Sequence, residues 1–169
     1  SVKSRGLGDV YKRQGNGNQM DTAFREGEGQ YIHQQGPAPQ QLAADGVGHV
    51  LAQLGPTIGA CGFSSLAATP AWLATDTARA FTRAYIKTRD YMNDASASEI
   101  AKAEKPLFPD IDLEVLTDCI ATYQAMGCWT RHIDITQDGY EAMLNIFEYD
   151  GKLPHRYSYD QVCTAPPPV

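Results

Sequence analysis

The clearest periodicity in the chain lies between Thr75 and Asp94. In TDTARAFTRAYIKTRDYMND, Phe81, Ala84, Tyr85, Thr88 and Met92 recur at three- and four-residue steps, with Arg79, Arg83, Lys87 and Asp90 elsewhere. This pattern predicts the longest helix. Ser96 and Glu99 have the spacing of a capping box, so a short helix should run to about Glu104 and stop before Pro106. Asp112 is a candidate cap for a helix striped by Leu113, Leu116, Ile120 and Tyr123 and ended by Gly127. Thr136 caps the last predicted helix, with Ile135 and Tyr140 as a hydrophobic staple; Tyr140, Met143 or Leu144, and Phe147 form its apolar face, and Gly151 ends it. The tail RYSYDQVCTAPPPV reads as an extended piece around Tyr157 to Val162 that frays at Pro166 to Pro168.

Upstream of Pro70 the pattern is different. QYIHQQ predicts a strand over Gln30 to Gln34, running into a loop at Gly36 to Pro39, after which Gln40 to Ala44 form a short helix ended by Asp45-Gly46. GHVLAQL and TIGACGFSSL are apolar runs separated by Gly55-Pro56, and predict buried strands at Gly48 to Gln53 and Ile58 to Phe63. The expected class is therefore α/β, a few buried strands followed by a mainly helical C-terminal half. So few strands do not make a sheet that is stable alone.

The first fourteen residues change the charge picture. They hold Lys3, Arg5, Lys12 and Arg13 against Asp9 alone. As a basic arm this is short, and Asp-Val-Tyr-Lys-Arg-Gln back-translates to GAT GTG TAT AAG AGA CAG, which resembles the end of a transposase adapter used in DNA sequencing. Residues 4–14 are thus expected to be translated adapter, with 1–14 disordered and the biological chain starting near Gly15, its own N-terminus lost. Without 1–14, Lys+Arg falls from 14 to 10 and Asp+Glu from 20 to 19, so the net charge moves from -6 to -9. A nucleic-acid partner is excluded on this basis, because phosphate neutralisation needs clustered cations.

No apolar run approaches the roughly 20 residues of a membrane-spanning helix. Cys61, Cys119, Cys128 and Cys163 show no metal-site spacing, and a Cys119–Cys128 disulfide is not expected across a helix end.

Catalytic motifs are missing from the sequence: there is no G-x-S-x-G, H-E-x-x-H, phosphate-binding loop or dinucleotide fingerprint. GFSSL lacks the second glycine of a nucleophile elbow. His33, His49, His132 and His155 are scattered, Asp110 and Asp112 are explained by helix capping, and Trp129 by packing. Two loops each follow a predicted strand end, QQGPAPQQ and FSSLAAT. In open α/β sheets ligands bind in that crevice, and these loops offer amides and hydroxyls beside apolar atoms, as a small polar organic ligand requires. Ordinary turns rich in small polar residues would look the same.

The ordered set AFREGEGQYIHQQGPAPQQL, GVGHVLAQLG, IGACGFSSL, ATDTARAFTRAYIKTRDYMN, LTDCIATYQAMGCW and DGKLPHRYSYDQV is similar to the C-terminal part of NMT1/THI5-like, sulfonate/nitrate/taurine-type substrate-binding proteins of ABC transporters. The likeness covers nearly all of residues 20–163. It implies part of a type II periplasmic-binding-protein fold, with 15–46 the end of the second lobe and its crossover and 47–169 the C-terminal half of the first. The implied function is non-enzymatic binding of a small polar organic solute in an interlobe cleft, without a cofactor. The implied location is periplasmic or extracytoplasmic, with ABC permease subunits as partners and membrane contact only through them. The ligand residues so implied are Gln34, Gln35, Gly36 and Pro37 at one strand end and Phe63, Ser64 and Ser65 at the other. The same resemblance includes a second branch, cytosolic pyrimidine synthases of thiamin biosynthesis that use pyridoxal phosphate.

Overall fold

The structure, a computed structural model, describes residues 2–6, 8–12, 15–62 and 64–169. The segment read as adapter carries an antiparallel hairpin of β1 (Val2–Gly6) and β2 (Gly8–Lys12), paired from Val2 with Lys12 to Gly6 with Gly8. Among the described residues its sheet contains these two strands alone. From Gly15 onward every helix or strand described is helical. The chain divides into two compact units, the first made of residues up to Leu51 with Ala101–Cys119, the second of Ala52–Ile100 with Ile120–Val169.

In the first unit, α1 (Gly17–Arg25) starts at a capping box: the Asn16 side chain accepts from the Gln19 amide and the Gln19 side chain accepts from the Asn16 amide. The loop that follows brings the chain to α2 (Ala38–Ala44), with Pro37 before it and Gly46 at φ +71 after it, where only glycine is unstrained. Ala23 of α1 and Leu42 of α2 are buried, as are Ala101, Val115, Leu116 and Cys119. Burial, then the nearby Asp118 and Glu104 charges, push the Cys119 thiol up to about 11.

In the second unit, two short helices, α3 (Gly55–Ile58) and α4 (Pro70–Leu73), precede α5 (Asp76–Asp94). Thr75 caps α5 by accepting from the Ala78 amide at 3.1 Å. At the far end Gln124 Nε2 donates to the carbonyls of Met92 and Ala95, both at 3.0 Å, satisfying groups that the helix leaves open. Four more helices complete the chain, α6 (Ala97–Glu104), α7 (Leu113–Ala125), α8 (Gln137–Tyr149) and α9 (Tyr159–Val162). The Ser96–Glu99 box forms, α6 gives way to a 3-10 turn at Lys105–Leu107, and Thr136 caps α8 by accepting from Gly139 at 3.1 Å.

Several expectations are corrected. No strand forms at Gln30 to Gln34 or Gly48 to Gln53; Ile58 closes α3, and 59–62 are irregular. A strand needs a ladder partner, and among the described residues none runs beside these segments, so Val50, Leu51, Leu54 and Ile58 stay exposed. Such a chain is compatible with a partial α/β fold, but its described architecture is helical. The inner face of α5 is centred on Ala78 and Thr82 rather than on Phe81, Ala84 and Thr88. Small side chains allow close approach, and Thr82 satisfies its hydroxyl on the Ala78 carbonyl at 2.9 Å. Phe81 is 46% exposed and packs instead between Trp72 and Tyr85. Phe147 is 40% exposed, leaving Leu144 as the large buried side chain of α8 beside the buried Gly139. The tail segment is the helix α9, because Ser158 and Gln161 form a third capping box. All four cysteines are free thiols.

Candidate functional site

A groove of about 390 Å³ opens in the first unit. One wall is α1, through Gly17, Asn18, Asp21 and Arg25. A second is the 34–41 segment, through Gln34, Gln35, Pro37, Ala38 and Gln41. The apolar remainder comes from Phe108 and Ile111. Residues far apart in sequence thus converge with polar and apolar surfaces facing one space, which is how small-molecule sites are built. A smaller depression of about 280 Å³ is lined by α1 and Glu26 alone and has no such second wall.

The polar wall is held by interlocking bonds. Arg25 Nε donates to Asp21 Oδ2 and its Nη2 reaches Asp45 Oδ2, both at 2.7 Å, tying α1 to the end of α2. Gln41 Nε2 donates to the other Asp45 oxygen at 2.8 Å. These bonds hold the Arg25 pKa above its ordinary value, and the Gln41 and then the Arg25 contact hold Asp45 below the usual carboxylate range. Gln34 Nε2 donates to the Gly17 carbonyl at 2.7 Å. Since the amide nitrogens of Gln34 and Gln41 face a carbonyl and a carboxylate, their oxygens are turned away from those partners. Gln41 Oε1 is buried without a hydrogen-bond partner.

The apolar wall has its own anchor. Lys105 Nζ donates to the carbonyls of Phe108, Pro109 and Ile111 at 3.2, 2.9 and 2.5 Å. An ammonium has three donors, and here each meets a carbonyl. Lys105 thereby fixes the loop that carries Phe108 and Ile111.

Three of the residues expected to bind ligand, Gln34, Gln35 and Pro37, line this groove. Gly36 lies between them, and its bond to Pro37 is cis. Ser64 and Ser65 are exposed in the second unit, and Phe63 lies outside the described residues. Asp21, Arg25, Phe108 and Ile111 were not anticipated. Asn16 and Gln19 could have revealed α1, since they stand at capping-box spacing; nothing in the sequence links 108–111 to it.

This geometry can be set beside known proteins. The chain is 28% identical over 142 residues to a Bacillus subtilis (strain 168) protein named "Putative binding protein YtlA". The match covers 83% of this chain and 42% of that protein, so the chain spans less than half the length of this relative. No family model matches the chain, and no solved structure matches it significantly.

Proposed function

We propose that the chain is part of a solute receptor that holds a small polar organic molecule and hands it to an ABC permease at the outer face of a membrane. The observation that carries this proposal is the similarity to a named binding protein over 83% of the chain. The groove supports it, because its polar groups are fixed before any ligand arrives and an apolar wall faces them. Binding there needs no proton transfer: recognition comes from paired hydrogen bonds and exclusion of water. The ionisable groups that line the groove, Asp21 and Arg25, are bonded to one another, which suits holding a molecule better than converting it.

Equilibrium dialysis of the 169-residue chain against a mixture of small amides, amines, amino acids and sulfonates, read by mass spectrometry, tests the proposal. Saturable retention of one component at one molecule per chain is expected, recovered unchanged on release. Retention of nothing, or recovery of a converted product, overturns it.

A further inference from the structure

The groove's atoms also constrain what enters it. We propose that it takes a solute whose head group is uncharged or cationic and donates hydrogen bonds, an amine or a carboxamide, and that it disfavours carboxylates and sulfonates. This inference rests on the groove being the binding site.

It follows from which atoms are already spent. Arg25 is the cation on the lining, and its Nε and Nη2 are bound to Asp21 and Asp45. Two carboxylates against one guanidinium leave this corner with a net charge of about -1 and occupy the Nε and Nη2 side of Arg25, so an anion entering the groove meets like charge there. Lys105 offers no alternative, because its three donors are committed to carbonyls. Acceptors, by contrast, remain. Gln34 is oriented by its bond from Nε2 to the Gly17 carbonyl, which leaves its Oε1 turned away from that carbonyl as an acceptor. That oxygen stands over Gly17, where the absent side chain leaves it uncovered: a Cβ at this position would lie 3.5 Å from it. The Asn18 and Gln35 side chains can accept or donate. Pro37, Phe108 and Ile111 supply a surface for an apolar or aromatic body behind the head group.

Three probes share one ring and differ in head group: benzamide, benzylamine and benzoate. Each is titrated into the full chain, with binding followed by calorimetry, alongside the variants Gly17→Ala and Gln34→Leu. Gly17→Ala adds a methyl at ordinary contact distance in a helical position, so it covers the Gln34 oxygen without disturbing the fold. Benzamide or benzylamine is expected to bind about ten-fold or more tightly than benzoate, and each variant to lose about ten-fold, as one hydrogen bond is worth. Benzoate binding as tightly as the other two, or affinities untouched by both variants, overturns the ligand class while leaving a binding groove. Failure of all three probes to bind overturns the groove as the site, and the ligand class with it.

Discussion

Lys105 shows how a single side chain can decide the shape of a site it does not line. Its Nζ gathers three carbonyls of the 108–111 loop, which carries the groove's apolar wall. Lys105→Met keeps most of the side-chain volume and removes the donors, so it should cost about 1–3 kcal/mol in urea denaturation and weaken benzamide binding. Lys105→Arg, which restores donors, should recover part of both losses; loss of stability with unchanged affinity would separate the loop from the site. Asp45 gives a pH signature. Its carboxyl is held low by Gln41 and Arg25, so what it adds to stability is present above the unfolded value of about 3.9 and is lost as pH falls through the lowered folded value. The Asp45 titration followed by NMR should have its midpoint below 3.9, and Gln41→Leu should raise it. At this scale the sequence was informative where chemistry is local: Gln34, Gln35 and Pro37 stand together in one loop. It was silent on Arg25, whose partners lie four residues before it and twenty after it in the chain, and on Phe108 and Ile111, which reach the groove only by tertiary folding.

Helices are the level at which local rules governed this chain most strongly. Thr75, Ser96 and Thr136 each cap a helix predicted from the residue pattern, because a cap is a bond between positions three apart. Thr75→Ala and Thr136→Ala should each cost about 1 kcal/mol, measured by loss of helical circular dichroism on heating. Gln124 does a longer-range job, closing the C-terminal carbonyls of α5. Gln124→Leu leaves those carbonyls unpaired and should cost about 1–3 kcal/mol, with hydrogen exchange quickening in the last turn of α5. Exchange unchanged there would show that water replaces the amide at no cost. The strands expected at Gln30 to Gln34, Gly48 to Gln53 and Ile58 to Phe63 were not decided by local rules in the same way. An apolar run such as GHVLAQL has the composition of a buried strand, but pairing depends on a neighbour that composition does not specify. The face of α5 differs from the stripe of Phe81, Ala84, Tyr85, Thr88 and Met92 that the spacing predicts, because Ala78 and Thr82 are its buried residues and Phe81 stacks on Tyr85 instead.

For the molecule as a whole, two units share one chain and only the first holds the groove. The hairpin of β1 and β2 is a two-stranded sheet, a form that is marginal in water without further packing. Deleting residues 1–14 should therefore leave the thermal midpoint of the rest unchanged; a measurable drop would give this segment a structural part. The groove is the feature on which ligand binding depends. Its most direct test is an NMR titration of the isotope-labelled chain with benzamide, following every backbone amide. Saturating shifts are predicted at Gly17, Asn18, Gln34, Gln35, Phe108 and Ile111, and Gly17→Ala should move their midpoint to an about ten-fold higher benzamide concentration. Shifts confined to the second unit, or none at all, would contradict it.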